Sequence, residues 1–212
     1  DSNAAIARLE GKLAELNSNI YLLLELGNIH SNQQDYAAAL KWYQKAFAVH
    51  NNNFLTLSKL VAAHNRLDDT PAAIDVLNEY VNRNGTDADA YRLLGSLYEQ
   101  THQPGDAVAA YRSAVKHAKN RGVELLNLAR MLTKTGQVQD AISSYSKAIA
   151  WNDKFLPAYQ GLARLLIDEG DQDYATLLIS QIEELTRGSG LAENLRGELS
   201  FRLGDYDQAK AH

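Results

Sequence analysis

Apolar residues along this chain recur every three or four positions, and no stretch alternates with a period of two. That spacing predicts amphipathic helices throughout and no sheet. The segment "DADAYRLLGSLYEQTHQPGDAVAAYRSAVKHA" shows the pattern: Leu93, Leu94, Leu97 and Tyr98 mark one helical face, yet Gly95 falls in its middle. A glycine there costs about 1 kcal/mol relative to alanine. Its presence implies a compensating close approach of another helix.

The pattern repeats without gaps at every thirty-fourth residue. Repeats begin at Ile20, Phe54, Ala88, Gly122, Leu156 and Gly190. Small residues dominate the eighth position (Gly27, Val61, Gly95, Ala129, Ala163, Gly197), and the twentieth is alanine in every repeat, from Ala39 to Ala209. Large residues hold other phases, with leucine at the seventh position (Leu26, Leu60, Leu94, Leu128, Leu162) and Tyr43, Leu77, Tyr111, Tyr145 and Ile179 at the twenty-fourth. Each repeat therefore reads as two helices whose crossing is lined by small residues and flanked by bulk.

"YRLLGSLY" followed by "AVAAY" resembles the tetratricopeptide repeat family, whose pattern has a period of 34. The resemblance covers residues 20 to 212. It implies an all-α fold, a right-handed superhelical solenoid of eleven or twelve helices in antiparallel pairs. The departures are specific. The closing proline of the family pattern is absent from every repeat, Val61 and Tyr80 occupy sites that are usually small, and Glu193, Arg196 and Ser200 stand where apolar residues are expected. The second repeat should therefore cross more widely. The last should pack differently, drawing on Leu191, Leu195, Leu199 and Leu203.

Punctuation agrees with two helices per repeat. Pro71, Pro104 and Pro157 fall at predicted first turns, where the missing N–H costs nothing. Gly136, Gly170 and Gly204 share the fifteenth position and suit helix C-terminal caps. Residues 1–19 read as a tag remnant, with "SNA" near its start, followed by the second helix of a preceding repeat; the sixth repeat stops inside its second helix. A piece of a longer array is expected, with exposed apolar ends (Leu9, Leu13) that let copies associate end to end, and with fraying after Ala209.

Composition narrows the partners. A net charge of −5 argues against a nucleic-acid partner. No apolar run reaches the roughly 20 residues of a membrane-spanning helix, so no membrane insertion by this segment is expected. There is no cysteine and hence no disulfide. His30 and His64 share the eleventh position one repeat apart, a spacing of about 8–10 Å between helices that is too wide for a common zinc ion held at about 2 Å. They read as packing residues. No nucleophile–base constellation emerges, so neither catalysis nor a cofactor or metal is expected.

The binding surface carries more information. Residues at the second, fifth, ninth and twelfth positions lie off the packed face, and the family resemblance places them in a concave groove. With the thirteenth position added, repeats two to five set Arg66, Arg92, Arg130, Lys134 and Arg164 against Asp89, Glu99 and Asp168, a slightly positive groove in an acidic chain. Arg92, Asn127, Arg130, Gln160 and Arg164 are the candidate peptide-binding residues. Members of the family that clamp the C-terminal carboxylate of heat-shock chaperones match here only at Arg92 and Asn127; Ser96, Pro157 and Gly161 replace required residues, so that role is rejected.

The expected function is a noncatalytic protein–protein interaction scaffold holding an extended partner segment. The alternative is the substrate-recruiting arm of a larger enzyme such as a glycosyltransferase. The segments "GLARLLIDEGDQDYATLLISQIEEL" and "LRGELSFRLGDYDQA" are similar to bacterial envelope lipoproteins of exopolysaccharide and PEP-CTERM systems. That similarity leans the expected location toward the bacterial envelope over the cytoplasm, without deciding it.

Overall fold

The computed structural model describes residues 2–16, 19–187 and 190–205. Among these residues lie twelve α-helices and no strand, an all-α repeat array as the periodicity predicts. The chain divides into two compact units, Asp1–Gln103 and Pro104–His212. The first holds α1 (Ser2–Glu15), α2 (Ile20–Asn32), α3 (Tyr36–Val49), α4 (Phe54–Arg66), α5 (Thr70–Arg83) and α6 (Ala88–Gln100). The second holds α7 (Pro104–His117), α8 (Gly122–Lys134), α9 (Val138–Trp151), α10 (Leu156–Glu169), α11 (Gln172–Thr186) and α12 (Leu191–Arg202). Within each unit every helix packs on the next in sequence, as a repeat array requires.

One backbone conformation recurs at every helix–helix turn inside a repeat. The fifteenth residue has positive φ in all six repeats: Gln34 63°, Asp68 56°, His102 58°, Gly136 71°, Gly170 80° and Gly204 77°. The three glycines fit the capping role expected of them, and the other three adopt the same left-handed geometry at some steric cost. The next residue then opens the second helix. Asp35, Asp69 and Asp171 each accept a backbone N–H of the first turn, from Ala38, Ala72 and Tyr174. Pro71, Pro104 and Pro157 all stand in first turns, as their chemistry demands.

The core follows the repeat phases. Ala39, Ala73, Ala107, Ala141 and Ala175 have no exposed surface, and neither have Leu26 and Leu162 at the seventh position. In the first unit the reason for a small eighth residue is visible. A Cβ built on Gly27 would lie 2.3 Å from Cε1 of Tyr43, so the glycine makes room for the tyrosine ring at the twenty-fourth position of its own repeat. Overpacking is the corresponding risk at the alanines. Ala141→Leu is expected to cost about 1–3 kcal/mol, whereas Ala109→Leu, on an exposed face, should stay within about 0.5 kcal/mol. Thermal melts of the two variants check this; equal midpoints would contradict the packing.

Two departures from the family pattern have local explanations. Tyr80 is buried, and its hydroxyl lies 2.8 Å from an Asp87 carboxylate oxygen and 3.3 Å from the Asn52 carbonyl. It thus ties the end of α5 to the residue that caps α6 and to the turn before α4. Burial, followed by the Asp87 carboxylate, pushes this phenol well above its ordinary pKa. In α12 the buried residues are Ala192, Leu195 and Ser200, while Leu203 is half exposed. The all-leucine stripe expected for this helix is therefore only partly used. Arg196 reaches across to Glu183 on α11, which explains a charged residue at a position that is usually apolar.

The expected stub of the last repeat, residues 206–212, lies outside the described residues. On α1, Leu9 and Leu13 are half-buried rather than open, with the helix packed against α2.

Candidate functional site

An open groove of about 410 Å³ runs along the second compact unit between α8 and α10, floored by α9. Helix α8 contributes Leu126, Arg130, Thr133 and Lys134; α10 contributes Gln160, Gly161, Arg164 and Asp168. The 34-residue period creates this arrangement. Arg130 and Arg164 share the ninth position, and Lys134 and Asp168 the thirteenth, so packed repeats set like positions side by side. Three of the five candidate residues, Arg130, Gln160 and Arg164, come together here. Asn127 is half-buried on α8 and does not line the groove; Arg92 belongs to α6 of the other unit.

Sequence reasoning missed the residue at the groove's floor. Tyr145 of α9 is buried, and a Cβ on Gly161 would lie 2.4 Å from its Cε1 and 2.7 Å from its hydroxyl oxygen. Gly161 is a notch cut for this ring. The same notch explains why a basic residue cannot stand at that position without evicting Tyr145. Burial pushes the Tyr145 phenol above its ordinary pKa, opposed by a hydrogen bond with Thr133 and by the nearby Arg130 guanidinium. The signal available in the sequence was the pairing of tyrosine at position twenty-four with a glycine at position six of the next repeat.

Several of the expected groove charges are paired in place, without a change in their sum. Arg164 makes two hydrogen bonds to Glu198 of α12, at 3.3 and 3.2 Å, and Asp168 pairs with Arg202. Arg92 is paired with Asp89 at 2.6 Å. Arg130 has no carboxylate within ion-pair distance among the described residues. Exposed ion pairs contribute little stability, typically 0–1 kcal/mol. Their effect here is on the field of the groove.

His64 is buried with Nδ1 3.2 Å from Asp69, and half-buried His30 faces Asp35 at 3.7 Å. Each histidine packs over the aspartate that caps the following helix. No cluster of three or more metal-ligating side chains occurs among the described residues. No described helix is long and apolar enough to cross a membrane.

A repeat array with this period, small-residue phase and turn geometry is a helical interaction fold. Tetratricopeptide repeat profiles match residues 20–53, and residues 59–124 and 92–163. The chain belongs to the tetratricopeptide repeat family. No curated protein sequence matches it. Solved structures agree on the fold. The MamA protein superposes with a TM-score of 0.68 at 24% identity, over 79% of this chain and 92% of that one. PilW, a type IV pilus biogenesis factor, gives 0.69 at 18% identity over 91% and 89%. YrrB, a repeat protein with an unusual peptide-binding site, gives 0.67 at 14% identity over 87% and 95%.

Proposed function

We propose that this protein is a noncatalytic interaction scaffold that binds an extended segment of a partner protein along the α8–α10 groove. The observation that carries this reading is Arg130, an arginine without a carboxylate partner beside an open cavity that also holds Gln160 and is floored by Tyr145. Its guanidinium offers a bidentate site for a carboxylate, and Gln160 offers both a donor and an acceptor to a peptide backbone. Arg164 contributes as one half of its pair with Glu198, presenting both signs of charge to the ligand. Asn127, off the groove lining, and Arg92, on α6 of the other unit, take no part in this reading. YrrB is described as having a peptide-binding site of its own, which makes a peptide ligand compatible with this fold.

Peptides selected from a random display library against the wild-type chain provide the test. Arg130→Glu is expected to weaken them by about tenfold or more, equivalent to about 1.4 kcal/mol. Lys41→Glu, on the exposed face of α3, should leave them unchanged. Affinity should also fall with salt, since partly exposed pairs are screened over about 8–10 Å. Full affinity in a folded Arg130→Glu variant would place the ligand elsewhere.

A further inference from the structure

In the second compact unit the turns after α7, α9 and α11 lie at one end of the helices, and those after α8 and α10 at the other. The two ends differ in charge. Lys116, Lys119 and Arg121 in the α7–α8 turn and Lys154 in the α9–α10 turn are all exposed. None of the four makes an ion pair among the described residues. The acids beside them are Asp153, which is exposed, and Glu124, which is buried in the first turn of α8. Glu184 and Glu193, around the α11–α12 turn, bound this basic surface on one side. The opposite end carries Asp168, Glu169, Asp171 and Asp173 around the α10–α11 turn.

Apolar side chains stand among these cations. Trp151, the last residue of α9, is 52% exposed, and Val123, in the first turn of α8, is 47% exposed. The two turns touch: a Cβ on Gly122 would lie 3.4 Å from Cδ1 of Trp151 and 3.9 Å from Cε1 of Phe155. The helix starts here also break a local rule. Asn19, Asn53 and Asp87, each just before the first helix of its repeat, accept a first-turn N–H. The same position holds Arg121 before α8 and Phe155 before α10, and neither makes a side-chain cap bond. Loss of a capping side chain costs stability, and a cation at a helix N-terminus opposes the macrodipole. Asn120 recovers part of this at α8 by accepting the Gly122 N–H at 3.2 Å. Two neighbouring helices thus give up a capping preference where cations and an aromatic ring are exposed, a conflict expected at functional surfaces.

We propose that this end of the second unit is a peripheral docking surface for a bilayer carrying anionic phospholipids. Trp151 and Val123 seat among the headgroups, and Lys116, Lys119, Arg121 and Lys154 face the lipid phosphates. Each lysine or arginine held near an anionic bilayer strengthens adsorption about fivefold. A tryptophan, apolar in body with a polar N–H, suits the interface between headgroup and acyl chain. Side chains on the tips of adjacent helices form a surface that meets a plane, whereas an extended chain is better held by a cleft. The chain's net charge of −5 does not prevent docking. Helices α8 to α11 have 13 to 15 residues, which makes them about 20 Å long, so the acids at the far end lie about two Debye lengths away. Docking is by adsorption alone, since no described helix is long and apolar enough to cross a membrane. It uses none of the residues that line the α8–α10 groove.

The test uses vesicles of phosphatidylcholine alone and of phosphatidylcholine mixed with phosphatidylserine. Trp42→Phe leaves Trp151 as the only tryptophan, and its emission is expected to shift to the blue with the mixed vesicles and not with the neutral ones. In flotation assays Lys116→Gln/Lys119→Gln should lower partition onto the mixed vesicles about tenfold or more. Lys12→Gln/Lys41→Gln removes the same charge from exposed positions of the first unit and should change partition less than about twofold. Trp151→Ala should weaken it as well. Equal partition onto neutral vesicles would overturn the proposal, as would wild-type partition in the folded Lys116→Gln/Lys119→Gln variant or an equal loss in Lys12→Gln/Lys41→Gln. So would tighter binding to a single-stranded oligonucleotide or to polyglutamate than to the mixed vesicles, since those polyanions offer charge without a bilayer.

Discussion

Truncating Tyr145 to alanine is expected to cost about 3–5 kcal/mol, the range for removing a large aromatic side chain from a packed core. The ring is buried and fills the notch at Gly161, so its loss opens a void that neither α8 nor α10 can close with its own side chains. Tyr145→Phe keeps the ring and loses the Thr133 hydrogen bond, worth about 0.5–1.5 kcal/mol. In a repeat array each element is stabilised by its neighbours, so the damage should be local. Hydrogen exchange in α8, α9 and α10 should rise sharply in the alanine variant, with urea melts by circular dichroism reporting the loss overall. A Tyr145→Ala variant within about 1 kcal/mol of wild type would contradict a core role for the ring.

Gly27→Leu is expected to be comparably damaging, at or above the upper end of the roughly 1–3 kcal/mol typical of overpacking. The Cβ alone would meet Tyr43 at 2.3 Å, and three further carbons would follow it into a buried site. The gain in helix propensity, about 1 kcal/mol, offsets only part of this. Gly105→Ala is the comparison: a Cβ there meets nothing within 4 Å, and its melting temperature should barely move. Tyr43→Leu in the Gly27→Leu background should recover part of the loss, because the clash is with that ring.

Repetition made the fold legible. Alanine at the twentieth position and leucine at the seventh recur so regularly that burial can be assigned before any coordinate is seen, and Ala141 and Leu162 are indeed without exposed surface. The site was legible in part. The period brought Arg130, Gln160 and Arg164 to one groove because equal phases stack. The pairing of its charges was not, since the tally over repeats two to five stops one repeat short of Glu198 and Arg202. Those residues hold the ninth and thirteenth positions of the sixth repeat, with signs opposite to Arg164 and Asp168. Asn127 shows a different limit: one residue along a helix rotates a side chain by about 100° and moves it off the groove lining. Tyr145 escaped notice because its partner is an absence, the missing side chain of Gly161.

The left-handed residue at the fifteenth position has a consequence for how such a chain can be rebuilt. Gln34, Asp68 and His102 hold a geometry that costs an L-residue roughly 1–2 kcal/mol, and Gly136, Gly170 and Gly204 hold it freely. The repeats are therefore interchangeable in outline but not in energy. An artificial array tiled from the fourth repeat would carry a relaxed corner at every turn. One tiled from the second would accumulate strain in proportion to its length, so that the longest arrays would be the first to fail.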